Sequence, residues 1–409
     1  MEQKKLNQKL HRNVWSVTLT SFFNDISSEM ILNLLPLFLY SVLGVRTSII
    51  GMIEGIAEAT ASLLKLFSGW ISDRMKMRKP LAVLGYGVST LAKPVLYFAA
   101  AWSWVMAFRL ADRIGKGIRT APRDALLADS VTKKRRGLAF GLHRAGDTAG
   151  AVIGLGIALL VVLAAEKKTL SFGREIFQTV VFLSLIPAAL AVLTLVLTSV
   201  ETEVTEQRQA PGFSLAGLPK SFRWFLLVVV VFTLGNSSDA FLILRAENAG
   251  LNVSGILGMM ITFNIVYAAA SSPAGALSDR IGRKTLLAAG WAVYALVYLG
   301  FAFARTGAHT WALMAVYGLY YGLTEGTAKA FVADLVPSNL RGTAYGVFNA
   351  AVGIMAFPAS LAAGILWQGA GRWTGWGPGA PFLFGAVLSL LAIILLFIPA
   401  PSEELEEPS

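Results

Sequence analysis

Cysteine is absent from the 409 residues, and histidine occurs only three times. The first absence excludes disulfides, thiolate metal sites and cysteine nucleophiles, and the second leaves the usual zinc ligand sets short of donors. Charge is scarce as well, at 14% of residues against 55% hydrophobic. No polar stretch between the apolar runs is long enough to bury a core of its own, which rules out a soluble catalytic domain. The chain has no Walker sequence, no HExxH and no convincing triad, so an enzyme is not expected, no cofactor is called for, and work powered by nucleotide hydrolysis is excluded.

What is present is a succession of apolar stretches, at approximately 14–41, 48–71, 80–100, 103–130, 137–164, 175–198, 222–246, 252–278, 284–304, 309–336, 341–368 and 380–399. A bilayer core needs about 20 apolar residues per helix, so the expectation is an all-α membrane protein with twelve transmembrane helices. Several stretches are longer than a perpendicular span, and Pro36, Pro94, Pro122, Pro273 and Pro358 mark expected kinks. The net charge of +11 does not point to nucleic acid, because Lys and Arg gather in short connections beside the bilayer. Lys4, Lys5, Lys9 and Arg12, then Arg74, Lys76, Arg78 and Lys79, then Lys133, Lys134, Arg135 and Arg136, then Arg280, Arg283 and Lys284, and finally Arg341 all fall on one side. Both termini are then cytoplasmic, in a cell's inner membrane. The loop at 165–175, with Lys167, Lys168 and Arg174, weakens the bias locally. Residues 1–13 are basic but lead into a span holding Asn24, Asp25 and Glu29 with no small-residue cleavage site, which reads as an uncleaved first helix. Trp102, Trp104, Trp311, Trp373 and Trp376 lie near outer span ends, as interfacial anchors do.

The polar segment 199–221 divides an N-terminal half, 1–198, from a C-terminal half, 222–400, ahead of an acidic tail at 401–409. An internal repeat supports that division. Gly69-x-x-Ser72-Asp73-Arg74 recurs as Gly275-x-x-Ser278-Asp279-Arg280, 206 residues on. Independently, Asp129 followed by Arg136-Gly137-x-Ala139-x-Gly141 recurs as Asp334 followed by Arg341-Gly342-x-Ala344-x-Gly346, 205 residues on.

On these motifs the chain resembles the major facilitator superfamily, whose signature between spans 2 and 3 is approximately G-x-x-x-D-[RK]-x-G-[RK]-[RK]. Gly275, Asp279, Arg280, Gly282, Arg283 and Lys284 fit it fully, whereas the first copy has Lys76 at the internal glycine and Met77 at a basic position. The resemblance implies two six-helix pseudo-symmetric halves, a monomeric secondary transporter working by alternating access, and a cytoplasmic charge clamp made by Asp73 with Arg74 and Asp279 with Arg280.

Span 4 is the most charged, with Arg109, Asp112, Arg113, Lys116, Arg119, Arg123, Asp124 and Asp129. Arg109, Arg113 and Lys116 fall at i, i+4 and i+7, with Arg119 and Arg123 close to the same face. Each charge in lipid costs about 2.5–3.5 kcal/mol or more on insertion scales, so the stripe must face acids or a water-filled cavity. Arg109 and Arg113 are both candidates for the family's span-4 arginine, associated with proton coupling, and the spacing leaves the choice open. Asp25, Glu29, Glu54, Glu58, Asp147, Asp239 and Glu325 are the available acids. Glu54 and Glu58 either approach the stripe or face the outer vestibule.

Span 5 sets His143 and Asp147 a turn apart beside a ladder of Gly146, Gly150 and Gly154, which suggests close helix packing. Ser27-Ser28-Glu29 on span 1 matches Ser237-Ser238-Asp239 on span 7, and in this family those helices line the central cavity. Asn24, Arg109, Arg113, Asn236, Asp239 and Glu325 are thus the expected solute-binding residues, and Asp25, Glu29 and Asp147 the proton-coupling ones. Asn264, Lys329 and Lys93 are weaker candidates, and His143 either relays protons or packs against the loop. The function expected is transport of a small polar or anionic solute, with protons as co-substrate and the lipid bilayer as surroundings and with no nucleic-acid or metal partner; the alternative is a proton-coupled multidrug or cationic-compound exporter.

Overall fold

The computed structural model describes residues 10–132, 135–168, 171–201, 217–337 and 340–399, and for Asp73 the backbone alone. Lys4, Lys5, Lys9, Lys133, Lys134, most of the 199–221 linker and the 401–409 tail lie outside the described residues. Those described form helices and connections with no strand. The helices are α1 (Arg12–Leu32), α2 (Leu35–Leu37) with a π turn at Phe38–Val42, α3 (Thr47–Met75), α4 (Arg78–Ala92), α5 (Pro94–Tyr97), α6 (Trp102–Asp129), α7 (Arg136–Glu166) and α8 (Arg174–Thr198). They continue as α9 (Lys220–Gly235), α10 (Ala240–Asn248), α11 (Val253–Ile281), α12 (Arg283–Phe303), α13 (Gly307–Leu335), α14 (Arg341–Gln368) and α15 (Ala380–Phe397). Since α1 and α2, α4 and α5, and α9 and α10 are each one segment with an interruption, twelve helical segments result.

Two interruptions have a proline cause. Pro36 and Pro94 lack the N–H that would reach the carbonyl four residues back, and Lys93 N turns more tightly instead, donating to Thr90 O at 3.2 Å. Pro122, Pro273 and Pro358 lie inside α6, α11 and α14, which continue through them. The third break, at residues 236–239, contains no proline. There an Asn-Ser-Ser-Asp string competes for backbone groups, and Ser238 Oγ accepts from Ala240 N at 3.3 Å.

Seven segments are long and apolar enough to cross a membrane by length and composition alone: α7, α8, α9 with α10, α11, α12, α14 and α15. The others, α1, α3, α4, α6 and α13, carry or adjoin Asp25, Glu54, Lys93, the α6 stripe and Glu325, while Asp147 and Asp239 lie in two of the seven.

The chain forms two compact units, one of residues 1–32 and 64–210, the other of residues 33–63 and 211–409. In unit 1, α1 packs on α7 and α8, and α4 on α6. The expected glycine ladder explains the first contact: a Cβ at Gly150 would lie 2.5 Å from the carbonyl oxygen of Phe22, and one at Gly154 2.4 Å from that of Ile26. Asn13 pins the start of α1, donating to Ser130 Oγ (2.8 Å) and Val200 O (3.0 Å) and accepting from Val200 N (2.8 Å). In unit 2, α13 packs on α11 and α12, and α15 on α9 and α12. The first part of α3 belongs to this unit, with Thr47 Oγ1 donating to Gly364 O at 2.9 Å.

Candidate functional site

Unit 1 is built around buried charge. Arg109, Asp112, Arg113 and Arg119 are 3–6% exposed, so the α6 stripe faces protein and not lipid. Arg119 Nη1 donates to Ser89 Oγ at 2.6 Å, and its guanidinium lies 4.5 Å over the Tyr86 ring. Lys93, at the break after α4, is 1% exposed; its Nζ donates to Ser27 Oγ and, at 3.4 Å, to Ser28 Oγ. Asp112 is the acid at the centre, within electrostatic reach of Arg113, Arg119, Lys93 and Arg109. Arg123 donates to Asp124 Oδ1 from Nε (2.9 Å) and Nη2 (2.7 Å), and from Nη1 to Ser21 Oγ at 3.3 Å.

Asp25 borders this cluster. It accepts from buried Asn24 Nδ2 at 3.0 Å and feels the charges of Arg119, Arg123 and Lys116. Asp147 on α7 feels both Asp25 and Arg123, and its Oδ1 is 3.7 Å from Nδ1 of buried His143. Glu29 is half-buried one turn along α1 from Asp25. Glu54 and Glu58 belong to unit 2, where they act on Asp239. Within unit 1 the helix of the stripe itself supplies an acid, Asp112.

Unit 2 is built differently, from tyrosines around one carboxylate. Asp239, at the α9/α10 break, accepts from Tyr317 Oη (2.9 Å) and Tyr321 Oη (3.4 Å). Tyr294 Oη donates to Gly235 O at 2.9 Å, holding the last carbonyl before the break. Tyr294 stacks on Tyr298 with centroids 4.0 Å apart, and Tyr317, Tyr320 and Tyr321 meet pairwise at 5.2–5.4 Å. Phe263 and Tyr267 extend the ring cluster from α11. Asn236 Nδ2 reaches Tyr320 Oη at 3.5 Å. Glu325 bonds Tyr267 Oη and lies 3.5 Å from Lys329 Nζ. Asn264 donates back to Met260 O on its own helix at 2.9 Å, a local bond.

The expected solute-binding residues therefore divide, with Asn24, Arg109 and Arg113 in unit 1 and Asn236, Asp239 and Glu325 in unit 2. Sequence reasoning missed the tyrosine cluster. Its signal was available: Trp291, Tyr294 and Tyr298 stand at i, i+3 and i+7, and Tyr317, Tyr320 and Tyr321 at i, i+3 and i+4, each a single helix face.

The two repeat anchors meet in space within each unit. Arg78 Nη2 is 2.9 Å from Asp129 Oδ2, and Arg136 Nε donates to Ala128 O at 3.3 Å. In unit 2 Arg283 Nη1 is 2.5 Å from Asp334 Oδ1, and Arg341 Nε donates to Ala333 O at 3.2 Å. All four residues correspond at an offset of 205. The basic residue each motif brings to an acid across helices is thus its later arginine. Arg74 instead lies over the Trp70 ring at 5.3 Å; Asp279 and Arg280 are exposed, with Asp279 3.9 Å from Arg283. The side chain of Asp73 is outside the described residues.

Comparison with known proteins adds the following. The family model of the Major Facilitator Superfamily matches residues 17–360 and 239–409. An uncharacterized MFS-type transporter of Methanocaldococcus jannaschii is 37% identical over 399 residues, covering 96% of this chain and 96% of the relative. Among solved structures, the nucleoside transporter NupG superposes with a TM-score of 0.72 at 15% identity, covering 94% of this chain and 98% of that one. A bacterial homolog of the human lysosomal transporter Spinster, inward-facing and occupied, superposes at 0.73 with 16% identity, covering 96% and 97%. At such identities these two structures speak for the fold.

Proposed function

The chain belongs to the major facilitator superfamily and is a secondary transporter in the membrane, and on that premise we propose that it moves a small polar or anionic solute together with protons by alternating access. Lys93, Arg109, Arg113 and Arg119 are buried, and with Lys116 and Arg123 they gather six cations around the α6 face. Charge-assisted hydrogen bonds from such a set hold an anionic solute in a way they do not hold a neutral one. Arg109 and Arg113 are the anion-binding residues in this reading.

Asp25, with Glu29 and Asp147, carries the proton. Asp25 acts on Arg119, Arg123 and Lys116, so a proton on its carboxylate removes counter-charge from those cations and increases their hold on an anion. By linkage the anion increases the hold on the proton, and the two travel together. Asp147 and Asp25 feel each other, so their protonation is shared between them. The basic loops favour cytoplasmic termini, with Asp73, Arg74, Asp279 and Arg280 making the contacts that break and reform at that face.

The test uses proteoliposomes containing a trapped pH dye, to which carboxylates and phosphate are added singly. At least one anion should drive proton movement that Asp25→Asn abolishes and Arg113→Gln reduces about tenfold. Uptake of an anion without proton movement, or proton movement unchanged in Asp25→Asn, would overturn the coupling scheme.

A further inference from the structure

We infer that unit 2 carries a binding site for a protonated amine, built on Asp239 and the tyrosines around it. Asp239 accepts one hydroxyl on each oxygen, and an ionised carboxylate offers about four acceptor positions, so capacity for N–H donors remains. Its strongest charged neighbours are Glu58 and Glu54, both acids, which add negative potential. Arg245, a buried cation of the same unit, is committed elsewhere, donating to the carbonyls of Phe301 (2.9 Å) and Ala304 (2.6 Å).

A second observation points to a ligand. Ser237 Oγ and Tyr298 Oη are buried and face each other, but neither makes a hydrogen bond of good geometry, although buried hydroxyls nearly always do. Tyr298 faces Ser237, Tyr317 and Asp239, so both hydroxyls belong to this cluster. Tyr294, Tyr298 and Tyr317 are fully buried, while Asn236, Asp239 and Tyr321 are partly buried. Aromatic faces and a carboxylate together are the surroundings that hold an ammonium group. A metal ion fits less well: calcium and magnesium take six or more oxygen ligands, and the described residues contain no metal-holding group of three or more acids and histidines. The ligand class is an organic cation with a protonated amine.

The experiment is a thermal-shift titration of the purified full chain with methylammonium, phenethylammonium, phenylacetate and phenylalanine. Phenethylammonium should raise Tm saturably in wild type, with apparent affinity at least tenfold weaker in Asp239→Asn and several-fold weaker in Tyr321→Phe. Tyr321→Phe keeps both ring and carboxylate and serves if Asp239→Asn does not fold. Amine binding should persist in Arg113→Gln, and phenylalanine, which carries the same ammonium group, should lose affinity in Asp239→Asn as phenethylammonium does. No stabilisation by either amine, unchanged stabilisation in Asp239→Asn, or equal stabilisation by phenylacetate would overturn the site. Anion-driven proton movement would be unaffected by that failure, so the two readings fall separately.

Discussion

Unit 1 and unit 2 share a repeated plan but fill it with opposite chemistry. Where unit 1 buries Arg109, Asp112, Arg113, Arg119 and Lys93, unit 2 buries Tyr294, Tyr298, Tyr317 and Tyr320. One interior is rich in buried cations around Asp112, and the other in rings and hydroxyls arranged on one acid. The corresponding end contacts survive in both, Arg78 with Asp129 and Arg283 with Asp334. Duplication therefore preserved the staples at the helix ends and left the interiors to diverge. The staples hold each helix pair.

That contrast can be broken first at its most charged point. Asp112→Asn leaves several buried cations without their central acid and should cost about 3–5 kcal/mol, read as a large fall in Tm of the purified protein. Lys93→Met, which removes only one of the four cations around that acid, should cost clearly less. Equal losses would show that Asp112 is not the counter-charge.

The end contacts sharpen the comparison, because side-chain exposure is 6% and 19% for Arg78 and Asp129 but 30% and 51% for Arg283 and Asp334. Arg78→Ala should cost about 3 kcal/mol, as breaking a buried pair does, and Arg283→Ala at most about 1 kcal/mol. The pair of Tm shifts checks the order, and a reversed order would contradict it. Gly150→Ala should cost about 1–3 kcal/mol through overpacking against Phe22, with no matching loss at open Gly156, where a Cβ meets nothing within 4 Å. The smallest effect is expected from Tyr294→Phe, about 1 kcal/mol for the lost bond to Gly235 O. A neutral result would mean that this bond does not hold the α9/α10 break.

Much of the fold was legible because membrane spans are written in local composition. The twelve segments, the 205–206 offset and the cationic face of α6 all follow from spacing along one helix. The break at residues 236–239 was not legible, since it has no proline and depends on polar side chains taking backbone groups. Partner choice was harder still. Glu54 and Glu58 share a face of α3, but only tertiary packing decides that they act on Asp239. Lys93 reads as an isolated polar residue until the fold brings Ser27 and Ser28 to its ammonium. The tyrosines were overlooked because each alone suits an ordinary core, and their shared faces on α12 and α13 matter only once those helices pack together.

The most direct test of the central claim, two chemically distinct interiors, is one ligand-stabilisation matrix: wild type, Arg113→Gln and Asp239→Asn, each titrated with carboxylates and with alkylammonium ions. The account predicts that Arg113→Gln loses stabilisation by anions while Asp239→Asn loses stabilisation by amines. If both variants lost the same ligands to the same degree, the division of chemistry between the two units would be contradicted.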